Sequence, residues 1–389
     1  MAWFLAVFLA TYTAMHLFVY SRVRALLPTD GPVRPLVLLF LLFMILAPVN
    51  ARLSERSGHE LLAQGIGWMG YPWMGFVFLA FWGFFFTGVL DLVFRVLGRF
   101  TPVSVAPFSG RGPTAVVLLV VGLVWVYGFF EARWVRVERV TLPTSKLPAE
   151  YPRLRIAQIS DVHLGILTTH GRLGKLAETI RSESPDLLVC TGDLVDGNAG
   201  SMERFAPVLR SITAPMGKYA VTGNHEFYVG VEQALAALDG FGFKVLRGAR
   251  ETVGGVLNVA GVDDPTVGAP MDESTLLSSQ HNGLFTLFLK HRPEVGKGSE
   301  GLFDLQLSGH THRGQIFPFG FFTGLIYPMQ DGFYRLSRGS NLYTSRGSGT
   351  WGPPLRVLSP PEVTVIDLVP VPVAGGPGNR RASFRREAP

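Results

Sequence analysis

The apolar positions of this chain fall into two textures. Over roughly the first third they run almost unbroken, and the stretches Ala2–Tyr20, Pro35–Val49, Ile66–Phe94 and Thr114–Phe130 are nearly free of charge. A helix needs about 20 apolar residues to cross a bilayer, so these read as four spans, the second of them short. "LVLLFLLFMILA" and "TAVVLLVVGLVWVYGFF" are apolar around the whole helical circumference, which suits lipid better than a one-sided protein core. Ala2–Tyr20 has no basic stretch before it and no small-residue cleavage site, and further spans follow, so it reads as a span rather than a signal peptide.

After Phe130 the pattern changes to short β-like runs, helical stretches and glycine-rich turns. "WVRVERVTL" alternates as a strand does. "LRIAQIS", "DLLVCTG" and "GKYAVTG" read as strands, separated by helices over Leu173–Glu183 and Met202–Ile212, with a third over Glu232–Leu238. "KVLRG" and "VLNVAGV" add further strands. Alternating strands and helices predict an α/β sheet, in which functional residues gather beyond the carboxyl ends of the strands. The expected division is a membrane domain over 1–131, an α/β domain over 132–374 and a disordered basic tail over 375–389.

Composition agrees with this division. Of the 389 residues 48% are hydrophobic and only 16% charged, too few charges for an ordinary soluble protein. The net charge of +6 comes largely from arginines beside the spans and in the tail, so it does not call for nucleic acid. Arginines in the loops divide six against five between the two faces, too even to orient the spans. The lone cysteine, Cys190, cannot form an intrachain disulfide and reads as a small core residue.

Polar motifs follow five of the predicted strands: Ser-Asp-Val-His with Asp161 and His163, Gly-Asp-Leu-Val-Asp with Asp193 and Asp196, Gly-Asn-His-Glu with Asn224 and His225, Lys-His-Arg-Pro with His291, and Gly-His-Thr-His with His310 and His312. One Asp-x-His is a common loop detail. Five such motifs at the same structural address would bury many ionisable groups together, at several kcal/mol each if nothing offset their charge. A metal cluster supplies the countercharge. The donors are carboxylate, amide and imidazole without thiolate, which excludes a cysteine-bound structural zinc and suits Mn, Fe, Zn or similar ions. Two such ions about 3.5–4 Å apart clamp phosphoryl oxygens and lower the pKa of a bound water towards about 7, so no protein nucleophile is needed. Gly192, Gly223 and Gly309 precede candidate ligands, where a missing side chain lets the backbone pass close to the cluster.

In this order "DVH", "GDLVD", "GNHE", "KHRPE" and "GHTH" resemble the calcineurin-like metallophosphoesterase superfamily, and "YTSRGSGTWGPPLRVLSPPEVTVIDL" resembles the membrane-associated YkuE-like branch. The likeness runs from Ala132 to Val369 and implies an α/β sandwich behind the transmembrane bundle. It further implies one ion on Asp161, His163 and His312, a second on Asn224, His291 and His310, and Asp193 bridging them. It makes His225 the phosphate-contacting histidine and general acid, with Asp196 orienting a ligand. Relatives often read Gly-His-Thr-His-Gly-Gly-Gln, and Arg313 here replaces the first of the paired glycines; Arg313 and Arg346 are candidates for contacting substrate phosphate. The expectation is a multi-pass membrane phosphoesterase acting on a phosphorylated small molecule or lipid, such as the pyrophosphate of UDP-diacylglucosamine. The competing expectation is a transporter or sensor whose metal-binding domain is regulatory and not catalytic.

Overall fold

The structure is a computed structural model that describes residues 2–100, 108–148, 150–198, 202–266, 268, 271–278 and 282–371. The basic tail, Gly375–Pro389, lies outside these residues, as does His281. By internal contacts the chain divides into two units. One comprises residues up to Glu131 together with Ile316–Pro318 and Gly352–Val357; the other comprises Ala132–Gln315, Phe319–Trp351 and the chain from Leu358 onward.

The first unit holds four helices: α1 (Ala2–Val23), α2 (Val33–Arg56), α3 (Glu60–Leu97) and α4 (Arg111–Glu131). Among the described residues, α2, α3 and α4 are long and apolar enough to cross a membrane. The run Pro35–Val49 looked short for a span, but its helix continues through Asn50–Arg56 and reaches 24 residues. Small residues set the helix spacing. A side chain at Gly70 of α3 would come within 2.8 Å of Ala47 Cβ on α2, so the two helices touch almost backbone to backbone there. Trp125 of α4 donates its indole N–H to the Pro72 carbonyl of α3 at 2.8 Å. The two inserted segments complete this unit: Ile316, Leu355 and Val357 form a buried apolar cluster with Leu79, Ala80 and Phe84 of α3 and Val121 of α4. Leu355 sits against both Gly75 and Gly128, where an added Cβ would strike it.

The second unit is built on two six-stranded sheets. In the first, β1 (Arg136–Thr144), β12 (Glu362–Pro370), β2 (Leu154–Ile159), β3 (Leu187–Cys190), β4 (Lys218–Ala220) and β5 (Lys244–Val245) lie side by side in that order. The second runs β10 (Gly332–Arg335), β11 (Asn341–Thr344), β9 (Leu305–Ser308), β8 (Phe285–Leu289), β7 (Leu257–Gly261), β6 (Ala249–Val253). Strands β2 to β5 are mutually parallel, as are β7 to β9. Side chains alternate across each sheet. Ile156, Leu187 and Val189 of the first sheet meet Val259, Leu287, Leu289, Leu305 and Leu307 of the second in one apolar core. The other faces of β2 and β3, with Ala157, Ile159, Leu188 and Cys190, pack on α5 (His170–Ser182), on α6 (Ala206–Arg210) and on α8 (Val231–Gly240). Cys190 is a buried free thiol in that layer, as a small core residue should be. The domain is an α/β sandwich.

α7 (Asn224–Val229) follows β4, α9 (Glu273–Ser278) lies between β7 and β8, and α10 (Phe319–Ile326) lies between β9 and β10. The helix expected over Met202–Ile212 is only partly α-helical: Glu203–Phe205 is a 3-10 turn, and α6 is five residues long with Pro207 in its first turn.

Candidate metal centre

The carboxyl ends of β2, β3, β4, β8 and β9 open on one place. Asp161 and His163 follow β2, Asp193 follows β3, Asn224 begins α7 after β4, His291 follows β8, and His310 and His312 follow β9. The structure brings all seven together. Potential ligand atoms of Asp161, His163 and His312 lie within 4.8 Å of one another, as do those of Asp193, His291 and His310. His163 Nε2 is 3.0 Å from His312 Nε2, which is 3.4 Å from an Asp161 oxygen. His291 Nε2 is 3.2 Å from Asn224 Oδ1, 3.1 Å from His310 Nδ1 and 3.2 Å from Asp193 Oδ2. Asp193 Oδ2 also lies 3.8 Å from His163 Nε2, so this carboxylate reaches towards both groups.

Local backbone geometry explains how such bulky groups fit. Asp161, His163, Asp193, His310 and His312 all have positive φ, between 47° and 73°. Non-glycine residues there cost about 1–3 kcal/mol each and persist only where surrounding structure holds them. Two glycines allow the loops to close over the carboxylates. A Cβ at Gly309 would collide with Asp161 and Ser160, and one at Gly223 would collide with Asp193. Arg313 also has left-handed geometry, with φ 49°, a region that favours glycine.

Burial and neighbouring charges shift the titratable groups of the cluster in opposite directions. Burial pushes the Asp161 carboxyl up to about 6. Burial also opposes the charge on Asp193, yet the neighbouring His291 and His225 hold it well below the usual carboxylate range. Burial lowers His291, but the Asp193 charge and hydrogen bond outweigh it and bring the imidazole up to about 10. Burial and neighbouring imidazoles take His163 and His310 down to about 3, leaving both neutral.

The donor set fits metal ions, and His291 shows it most directly. Its Nδ1 lies 2.7 Å from the Thr191 carbonyl and so carries the proton it donates there. In the neutral imidazole Nε2 is then a lone pair, facing an amide oxygen, an imidazole nitrogen and a carboxylate. A proton on Nε2, donated to Asp193, or a metal ion in its place satisfies these acceptors, and an imidazole fixed through its other nitrogen by a backbone carbonyl is the usual arrangement of a metal-binding histidine.

Around the ligands sit groups that hold them. Glu226 is fully buried and accepts from the backbone N–H groups of Asp193, Val195 and Gly223 at 2.9, 3.0 and 2.7 Å, fixing the loop that carries Asp193. Asp196 lies 2.7 Å from His225 Nδ1, so it orients His225 first; its distance to His163 Nδ1 is 3.8 Å. His225 stands beside the cluster, its ring 4.7 Å from that of His163 and 5.7 Å from Trp351. Its ligand atom also lies within 4.8 Å of those of His163 and Asp193. Burial lowers His225 and the adjacent Asp196 and Asp193 charges raise it, for a net value of about 9. Tyr327 places its hydroxyl 3.1 Å from His310 Nε2 and had no signal in the motif pattern.

The two arginines differ. Arg313 is 44% exposed and lies 3.5 Å from Asp331. Arg346 is buried and committed elsewhere: its guanidinium lies 2.5 Å from Glu138 and 2.7 Å from Glu362, and it donates to the Pro360 carbonyl at 3.1 Å. It serves to tie β1 and β12 to the loop after β11.

The model of the calcineurin-like phosphoesterase family matches residues 154–314, the span that carries every candidate ligand. An uncharacterized metallophosphoesterase of Aquifex aeolicus is 38% identical over 252 residues, covering 63% of this chain and 96% of that protein. A transmembrane protein with metallophosphoesterase domain from Danio rerio is 30% identical over 302 residues, 73% of this chain and 69% of that protein. The metallophosphoesterase YkuE of Bacillus subtilis is 33% identical over 253 residues, 62% of this chain and 87% of that protein. With a metal-binding cluster at the strand ends of an α/β sandwich, the chain belongs to the calcineurin-like metallophosphoesterases. It is a metal-dependent phosphoester hydrolase by family, and its apolar helices and the transmembrane relative point to membrane association.

Proposed function

We propose that the protein hydrolyses a phosphodiester, phosphomonoester or pyrophosphate carried by a bilayer-resident molecule. The observation that supports this reading is the convergence of seven O and N donors from five strand ends, in a chain that also carries helices long enough to span a membrane. Asp161, His163 and His312 would hold one divalent ion and Asn224, His291 and His310 the other, with Asp193 shared. When bound, the pair would act as Lewis acids on phosphoryl oxygens and lower the pKa of a bound water towards about 7. His225 is assigned as the general acid. Asp196 engages its Nδ1, which leaves Nε2 as the atom that donates a proton to the departing oxygen. Asp196 and Glu226 position these groups and touch no substrate. Arg313 is the remaining candidate for a phosphate contact; Arg346 is not proposed for that role, because its guanidinium is already paired on two sides.

Confinement to the bilayer raises the effective concentration of a lipid-borne ester at an enzyme fixed there, which favours a lipid-linked phosphate such as UDP-diacylglucosamine over a freely diffusing one. The test is to purify the full chain, strip it with chelator and restore Mn, Fe, Zn, Mg or Ni singly. Release would be followed from a soluble diester, a soluble monoester and a lipid pyrophosphate in vesicles. Metal-dependent release is the expected result. A chain that binds two ions per molecule yet turns over none of the three supports a regulatory, non-catalytic domain instead.

A further inference from the structure

α10 is unlike the other helices of the catalytic unit. Its eight residues, FGFFTGLI, contain no charge, and their large side chains face outward: Phe321 is 69% exposed, Leu325 82% and Ile326 72%. By contrast α5 buries Leu173, Leu176, Ala177 and Ile180 and turns Lys175 and Glu178 to solvent. An exposed apolar face of this kind marks a contact surface rather than ordinary protein exterior.

Two features of the same stretch of chain name what covers it. Pro318, the residue before α10, ends the segment Ile316–Pro318, and Ile316 is buried among Leu79 and Phe84 of α3 and Val121 of α4. The helix therefore begins one peptide bond from a segment packed on helices of membrane-spanning length and composition. At its other end, Tyr327 follows Ile326 directly and places its hydroxyl 3.1 Å from the candidate ligand His310. A short uncharged helix that follows a membrane-helix segment in the chain and ends on a tyrosine has the composition of an interfacial element, with its apolar side in the acyl region and the tyrosine at the polar boundary.

We propose that α10 is an interfacial helix whose Phe321, Leu325 and Ile326 lie in the lipid bilayer at the headgroup boundary. The placement is independent of catalysis, since it concerns where the helix sits and not what the centre does. Its consequence, which does rest on the phosphoesterase reading, is that a phosphoester enters from the plane of the bilayer.

The experiment uses the full chain reconstituted into phosphatidylcholine and phosphatidylglycerol vesicles, with a nitroxide attached to a single introduced cysteine. Cys190 is fully buried and does not compete for the label. Leu325→Cys and Ile326→Cys replace exposed side chains and leave packing intact; Glu178→Cys on α5 is the aqueous reference. Collision with oxygen and with a water-soluble nickel chelate then gives depth. Labels at positions 325 and 326 are expected about 5–10 Å inside the headgroup boundary, with the label at 178 in water. The proposal is overturned if positions 325 and 326 meet the nickel chelate as often as 178 does. It is equally overturned if spin–spin broadening between molecules shows that a second copy of the chain covers the helix.

Discussion

The two units solve opposite solvation problems. In the catalytic unit apolar residues are inside, and the ionisable groups are drawn to one end, where Asp161, Asp193, His291 and Glu226 are almost wholly buried yet each is engaged by hydrogen bonds or ion pairs. In the helical unit the relation is reversed: Leu61, Leu92, Leu119, Leu123 and Phe130 are among its most exposed residues, while His16, Thr114 and Glu131 are hidden. His16 shows the rule at one residue, with Nδ1 at 2.8 Å from the Tyr12 carbonyl and Nε2 accepting from the Trp73 indole at 2.9 Å. Polar groups are satisfied inside a helix bundle because hydrocarbon outside has no partners to give. Burial of polar groups thus serves the metal centre, beside structural pairs such as Arg346 with Glu362, in one unit and insulation in the other.

Four substitutions test that contrast. Asp193→Asn should have the largest effect, since one carboxylate serves both ligand groups: turnover should disappear and bound metal, measured by mass spectrometry, should fall together. Full turnover in this variant would rule out the shared role. His225→Ala should lower turnover about 10²–10⁴-fold, the range for a lost general acid, with metal content near that of the parent. Loss of metal there would move His225 among the ligands, where its distance from His163 and Asp193 also allows it. Asp196→Asn should cost less, about 10–100-fold, because it acts only by orienting His225; an effect equal to that of His225→Ala would mean that it does more than orient. Leu355→Ala in the helical unit should barely change metal content but lower stability by about 2–5 kcal/mol in detergent unfolding, as loss of a fully buried leucine does. Metal loss on Leu355→Ala would show that the two units are not separable in this way.

The strands that carry ligands were legible because each is a short apolar run followed by a polar motif, in all but β8 after a glycine or small residue, a pattern that periodicity alone reveals. The remaining strands were harder. β6, with the sequence ARETV, is largely polar because it lies at a sheet edge, and β5 is two residues long. Tyr327 and the pairing of Arg346 had no local signal. Tyr327 meets His310 across a helix that carries no motif, and Arg346 meets Glu138 and Glu362 only because β1 and β12 lie side by side. The grouping of Ile316–Pro318 and Gly352–Val357 with the spanning helices was invisible for the same reason: each is a few apolar residues in a stretch that otherwise reads as enzyme.

The pairing of β1 with β12 bears on how the molecule is made. Arg136 to Thr144, the first strand to emerge after α4, is hydrogen-bonded in parallel along its whole length to Glu362 to Pro370, the last strand described. During synthesis the opening strand must wait for nearly all of the enzyme to be translated before it finds its neighbour, while the helices ahead of it are already free to insert. The first sheet of the hydrolase is thereby completed only after all four helices have been made, and a ribosome that stalls before Glu362 leaves a chain whose sheet still has an open edge at β2.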